Sequence, residues 1–293
     1  MPRFHIFLGL LAWAVAQFPL VCVPKTPTPP FPSGDLLLTS SSMRTHLLVS
    51  HGSPSNRTIS AIEWATGQRS VLVPFNVLNS RAARDGTLFV YIDSSFILYA
   101  ADVFGFQQQL TTSAVKPDQI ASFSIGFTPD SAYFVFVDSQ LTNALYSVPS
   151  RGSGPVVRLS SPTQTQAFTG VSISPNSLWV AYLHSGSLFV SSIATGSNVA
   201  IASPAFSFLW SRDSLSIVYT NASSSCAIFS VSVGGTNLVQ LTSALGIGSP
   251  VIFTKDNSHT IVLGNFEGGL NTIVYGVIPG QGDSLFRISN QVN

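Results

Sequence analysis

Nucleophilic, acid–base and metal chemistry each need particular residue types at particular spacings, and this chain of 293 residues holds few of them. No G-x-S-x-G turn occurs, so the nucleophile elbow of serine hydrolases is absent. Gly186-Ser187 and Gly152-Ser153-Gly154 read as turn elements instead. Of the 5 histidines, His46, His51, His184 and His259 lie beyond the N-terminal segment, and none stands at a metal-ligand spacing with a carboxylate nearby. His46 and His51 flank one predicted strand at a separation that puts them on opposite faces. Glu63 and Glu267 are the only glutamates, a poor supply for the paired carboxylates that a glycosidase holds about 5 to 9.5 Å apart. Asp93 and Asp138 follow matching strands, which argues for shared turn chemistry rather than a catalytic pair. No cofactor and no metal is expected.

Chemistry outside catalysis depends on the compartment. Met1–Ala16 carries Arg3, then an apolar run through Val15, and closes on Ala14-Val15-Ala16, the small-x-small pattern of a signal peptide cleaved before Gln17. An uncleaved anchor through Val23 is the rival, interrupted by Gln17 and Pro19. Export makes Asn56-Arg57-Thr58 and Asn221-Ala222-Ser223 meaningful, since both are N-glycosylation sequons in a eukaryotic secretory host. It also permits a disulfide between Cys22 and Cys226, although Cys226 equally suits a small buried hydrophobe. Val21 before Cys22 does not fit a bacterial lipoprotein site. Residues 17–34 are dense in proline, from Pro19 to Pro32, and read as an extended spacer.

The elements that must position these groups come from a repeat. A short turn recurs as Ala83-Arg84-Asp85-Gly86, Thr128-Pro129-Asp130-Ser131, Ser174-Pro175-Asn176-Ser177, Ser211-Arg212-Asp213-Ser214 and Thr254-Lys255-Asp256-Asn257, with a degenerate copy at Ser40–Met43. The Asp/Asn side chain bonds its own backbone two residues on, so these residues are turn-formers first. Each turn precedes an apolar strand such as Leu88–Tyr91, Tyr133–Phe136, Trp179–Tyr182 or Ser216–Tyr219. A second strand with Leu-Tyr or a similar pair follows, then a short closing strand such as Gln109-Leu110-Thr111, Arg158-Leu159-Ser160 or Gln240-Leu241-Thr242. Four strands per copy at intervals of 37 to 46 residues match a propeller blade, and six copies fit between Asp35 and Asn290.

Composition agrees. Charged residues are 9% of the chain, against roughly 25% in an average soluble domain. Mean hydropathy is +0.37, hydrophobic residues are 45%, and the formal charge is +1. That balance excludes bulk disorder and offers no electrostatic footprint for nucleic acid or an anionic membrane.

The turn, the apolar-apolar-x-Tyr/Phe strand, the Leu-Tyr/Phe pair and Gln-Leu-Thr together resemble the TolB-type repeat. That repeat is shared by the TolB propeller and by the propellers of prolyl oligopeptidase and dipeptidyl peptidase IV relatives. The resemblance covers about Asp35–Asn290 and implies an all-β, six-bladed propeller of four-stranded antiparallel blades. Against that family, only a proline-rich tail precedes the repeats, no hydrolase domain follows them, and Asp-Gly is kept only at Asp85-Gly86. The expected organisation is a signal peptide at 1–16, a spacer at 17–34 and a propeller at 35–293. The innermost strands would be Val77–Ala82, Ser122–Phe127, Thr169–Ile173, Ser207–Trp210 and Pro250–Phe253, on which Arg81 is the one charge. Arg81 there either binds an anionic group in the channel or is a solvated or turn-paired arginine. The functional expectation is a secreted, or in a bacterium periplasmic, non-catalytic module that binds another protein through one propeller face. The alternatives are a carbohydrate-binding or carbohydrate-active propeller using the channel, with Arg81 and Asp85 its candidates, or a propeller peptidase remnant without its hydrolase.

Overall fold

A computed structural model of the protein describes residues 36–40, 46–53, 56–84, 86, 88–112, 126–138, 144–152, 154–164, 168–221, 227–242, 248–256, 259–264, 273–278 and 286–287. The chain divides between Ser33 and Gly34, and all of these residues belong to the second unit. The signal-peptide and spacer segments, Asp85, Cys22 and Cys226 lie outside the described residues.

The described elements are strands. A first sheet runs in chain order through β1 (Leu36–Ser40), β2 (His46–Ser53), β3 (Asn56–Glu63), β4 (Arg69–Ala82), β5 (Leu88–Asp93), β6 (Leu98–Asp102) and β7 (Gln107–Gln109). A second holds β8 (Tyr133–Asp138), β9 (Ala144–Pro149) and β10 (Val157–Arg158). Three four-stranded meanders follow: β11 (Gly170–Ile173), β12 (Trp179–His184), β13 (Ser187–Ser192) and β14 (Asn198–Ala202); β15 (Ser207–Trp210), β16 (Ser216–Thr220), β17 (Ile228–Ser232) and β18 (Val239–Gln240); β19 (Gly248–Phe253), β20 (Thr260–Gly264), β21 (Ile273–Val277) and β22 (Phe286–Arg287). Every pairing is antiparallel between strands adjacent in sequence.

Two features differ from six separate four-stranded sheets. The outer strand of the first repeat runs directly into the inner strand of the second as the 14-residue β4. Pro74 lacks a donor and Asn76 sits at φ 67°, so pairing with β3 skips from Val73 to Val77, a bulge where a break was expected. The second sheet shows three strands among the described residues, and Phe127 makes only an isolated bridge to Phe134.

Alternation along each second strand buries both of its faces. Phe89 and Tyr91 of β5 pack with Leu48, Ile59, Ala61 and Val73, while Val90 and Ile92 pack with Phe134, Phe136 and Val148. Val135 then meets Val180 and Tyr182, and Ala181 and Leu183 meet Trp210, Ile217 and Tyr219. Burying each such side chain contributes about 1.5–3 kcal/mol, so a sheet without its neighbours forfeits half its apolar contacts. The recurring aromatic residues are directly paired across strands: Tyr91–Tyr99, Phe136–Tyr146, Tyr182–Phe189 and Tyr219–Phe229 stack at 5.2, 5.7, 5.3 and 5.4 Å. All four pairs face the preceding repeat.

The closing motif is a clasp. The Thr111 and Thr242 hydroxyls accept the N–H groups of Leu98 and Ile228, while Gln109 and Gln240 donate to the carbonyls of Thr111 and Thr242. Ser160 and Arg158 perform the same two tasks in the second sheet.

The turn serines have a second task. In three turns Thr128, Ser174 and Ser211 donate to Asp130, Asn176 and Asp213, whose carboxyl or amide oxygens accept backbone N–H groups two residues on. Ser131, Ser177 and Ser214 follow at φ 61°, 66° and 63°, where glycine would be easier. At Ser177 and Ser214 the hydroxyl supplies the reason: Ser177 Oγ accepts the Asp130 N–H at 3.1 Å and Ser214 Oγ accepts the Asn176 N–H at 3.0 Å, tying each of these turns to the one before it. Ser177→Ala keeps the left-handed strain and loses the bond, so it should destabilise by about 1 kcal/mol. Ser177→Gly loses the bond but also sheds about 1 kcal/mol of strain and should be near neutral. Denaturant unfolding of both variants checks this, and an alanine variant as stable as wild type would show that the inter-turn bond contributes nothing.

Candidate functional site

The residues singled out by type do not converge. Arg81 is exposed on β4 opposite Val90, and a methyl placed on Gly126 would lie 3.6 Å from its Nε. Asn56 is exposed at the start of β3, with its Oδ1 accepting the Asn76 N–H at 2.8 Å. Asn221 is half-buried just after β16 and donates its N–H to the Ala227 carbonyl at 2.9 Å, while Ala222 and Ser223 lie outside the described residues. Both sequon asparagines sit where a second strand turns into a third.

Most ionisable side chains are occupied by structure. Asp93 Oδ1 accepts the N–H groups of Ser95 and Ile97, as turn chemistry requires. Burial works to raise the Asp130 carboxyl, but hydrogen bonds from Thr128, the Ala132 backbone and Ser177 overcome it and hold its pKa below the ordinary value. Asp102 is 5% exposed, accepts two backbone N–H groups, and pairs with Arg151 of the next sheet at 3.2 Å. His51 Nε2 lies 3.1 Å from Ser60 Oγ, while His46 lies on the other face of β2, as its spacing requires. Among the described residues no three His, Cys, Asp or Glu side chains cluster to hold a metal, and no helix is long and apolar enough to cross a membrane.

Exposed apolar surface is concentrated on one edge instead. In an up-and-down sheet the turns joining strands one to two and three to four lie at the same end. The Ser–turn bonds and the Arg151–Asp102 pair align that end across successive sheets. Nine large apolar side chains are exposed among the described residues. Trp64, Phe104, Val156 and Leu238 belong to three-to-four connections, and Leu178 and Leu215 to one-to-two turns. Val71 and Val199 stand on outer strands, and only Phe206 belongs to a connection at the other end.

A cavity of about 210 Å³ opens beside two of these side chains, lined by His46, Ala61, Glu63, Gln68, Ser70 and Val103. Cross-strand pairing places His46 opposite Glu63, and Ser70 opposite Ala61, on one face of β2, β3 and β4. The β3–β4 turn is held by Glu63 N–H to Gln68 O and by Thr66 Oγ1 to Glu63 Oε2, at 2.8 and 2.6 Å. Phe104 meets the His46 ring edge-on at 6.2 Å. The sequence offered no signal for this group, because its members come together only through strand register.

No protein-family model matches this chain, and no curated protein is similar to it in sequence. Among solved structures, dipeptidyl peptidase 4 of Porphyromonas gingivalis is similar with a TM-score of 0.61 and 11% identity, over 92% of this chain and 47% of that one. TolB from Acinetobacter baumannii gives 0.40 and 18% over 69% of this chain and 52% of its own. Oligogalacturonate lyase from Vibrio parahaemolyticus gives 0.39 and 13% over 81% and 87%. The chain thus spans about half the length of the peptidase and of TolB. Of these three, the peptidase has a TM-score above 0.5, and at its identity the likeness is one of fold.

Among the described residues, His184 is the one buried ionisable group with an unanswered polar atom. It ends β12, is 8% exposed among Phe168 and Phe189, and its Nε2 has no hydrogen-bond partner among the described residues. Burial lowers its pKa below the ordinary imidazole value of about 6.5. On acidification the unfolded chain takes up this proton first. The contribution to stability is therefore full above about pH 6.5 and declines as pH falls through that value towards the lower folded pKa. His184→Phe should flatten the stability difference between about pH 7.5 and about pH 5.5 in urea unfolding. An undiminished difference would assign the acid sensitivity to other groups.

Proposed function

We propose that this chain is an exported six-bladed propeller serving as a non-catalytic protein-binding module, with its partner docked on the edge that carries the one-to-two and three-to-four turns. The observation that supports this most is the distribution of exposed apolar side chains: among the described residues, Trp64, Phe104, Val156, Leu178, Leu215 and Leu238 share that edge, against Phe206 on the other. Apolar groups concentrated on one side of a folded chain mark an interaction surface.

Three further facts favour the reading. Each successive sheet buries its faces against its neighbours, the packing a propeller needs, and the fold likeness to dipeptidyl peptidase 4 agrees with the repeat pattern of the sequence. The turn aspartates and asparagines are committed to backbone hydrogen bonds, which removes them from acid–base work. Asn56 and Asn221 lie at two-to-three connections, so glycans there would leave the apolar edge uncovered. Cleavage before Gln17 would deliver the module outside the cytoplasm, and its neutral, cation-poor surface fits a protein partner better than a polyanion.

The test is cross-linked co-purification of the mature chain from its own extracellular or periplasmic fraction, compared across variants. Leu178→Ser with Leu215→Ser removes two exposed leucines of adjacent turns, at little cost to folding because they are surface residues. Partner affinity should fall about tenfold or more, the equivalent of about 1.4 kcal/mol. Phe206→Ser should leave it unchanged. Equal retention of the partner by both variants would sink the choice of edge, and turnover of a peptide or glycan abolished by a point mutation would sink the non-catalytic reading.

A further inference from the structure

We infer that the cavity between His46, Glu63, Gln68, Ser70 and Val103 is a subsite for a single pyranose unit at the end of a neutral glycan. This inference does not rest on the protein-binding reading, and the site is distinct from the inner strand that bears Arg81.

The lining chemistry selects the ligand class. Glu63 contributes carboxylate acceptors, Gln68 an amide with both donors and an acceptor, Ser70 a hydroxyl and His46 an imidazole, each able to give or take according to its partner. A ring carrying several hydroxyls uses such a mixed set fully, because every hydroxyl both donates and accepts. An ammonium group would use the acceptors and leave the Gln68 amide hydrogens unanswered. An anion would meet the Glu63 charge with no Lys or Arg among the lining residues. Apolar contact within the cavity comes from Ala61 and Val103 of its lining, and the exposed rings nearby stand outside it. Phe104 is 72% exposed and edge-on to His46, and Trp64 is 68% exposed in the turn that joins Glu63 to Gln68.

Size and rigidity point the same way. About 210 Å³ is below the roughly 300–1,000 Å³ of drug-sized sites, which suits one ring with the rest of a glycan outside. The polar groups stand on paired strands, and the turn between Glu63 and Gln68 is fixed by Thr66, which donates to Glu63 Oε2 and accepts the Gln68 N–H at 3.1 Å. Little ordering is left for binding to impose.

Saturation-transfer NMR on the mature chain with methyl glucosides, galactosides and mannosides and with N-acetylglucosamine gives the direct test. At least one of these should bind in the millimolar range, and Gln68→Ala and Ser70→Ala should each weaken it about tenfold, the loss of one hydrogen bond of about 1.4 kcal/mol. Both residues are exposed, so both variants should unfold at the wild-type temperature, and Glu63→Gln tests the carboxylate separately. Absence of binding by every sugar overturns the assignment. Binding that survives all three substitutions, or is lost only in Arg81→Ala, overturns it as well by moving the sugar elsewhere. Because Leu178 and Leu215 are not among the lining residues, failure of the partner experiment leaves this result independent.

Discussion

The second strand of each repeat has no face left for water. Phe89 and Tyr91 point back to the first repeat while Val90 and Ile92 point on to the next, and the same division holds at β8 and β12. Stability is therefore a property of neighbouring pairs of sheets. The bonds that hold register between sheets are short and mostly uncharged: Ser147 Oγ donates to the Ile193 carbonyl at 2.6 Å, Trp210 Nε1 to the Ser172 carbonyl at 3.1 Å, and Gln108 to the Gly152 carbonyl at 2.7 Å. A chain with 9% charged residues can be built this way because hydroxyls and amides do work often left to ion pairs. The Arg151–Asp102 pair is a local exception, with the guanidinium also over the Phe106 ring at 5.7 Å.

That economy shapes what the protein is able to do. A carboxylate that accepts backbone N–H groups is held in place by its own turn. Asp130, Asn176 and Asp213 are for this reason committed to local structure, and the exposed edge beside them carries large apolar side chains. Leu178 and Leu215 follow the left-handed serines directly, so the turn that locks two sheets together also pushes a large side chain into solvent.

Serine rather than glycine in the left-handed position carries its own physical reason. Glycine would remove the strain but offers no hydroxyl, and the bonds from Ser177 and Ser214 to the preceding turns span 47 and 38 residues of chain. The trade of local conformational energy for a contact between sheets makes sense only when the sheets are already adjacent. Gly86 keeps glycine at φ 70° in the second repeat.

Local patterns in the sequence were enough for the strands and turns. Thr128-Pro129-Asp130 and its copies close on their own backbones, and a short continuous apolar run bounded by turn signals, as in Leu88–Asp93 or Trp179–His184, is a strand signal that needs no partner to be recognised. The inner strand Ser207–Trp210 and the separation of His46 from His51 onto opposite faces were legible for the same reason. Other outcomes depended on how strands register and stack. The fusion of two repeats through β4 required the bulge at Pro74 and Asn76, which is specified by pairing partners on both sides. Which edge collects the exposed apolar residues, and that His46, Glu63, Gln68 and Ser70 meet around one cavity while Arg81 and the sequon asparagines stay apart, were decided only in three dimensions. Hydrogen bonds within a turn reach a few residues along the chain, whereas a site assembled across strands takes its geometry from register and from sheet-on-sheet packing.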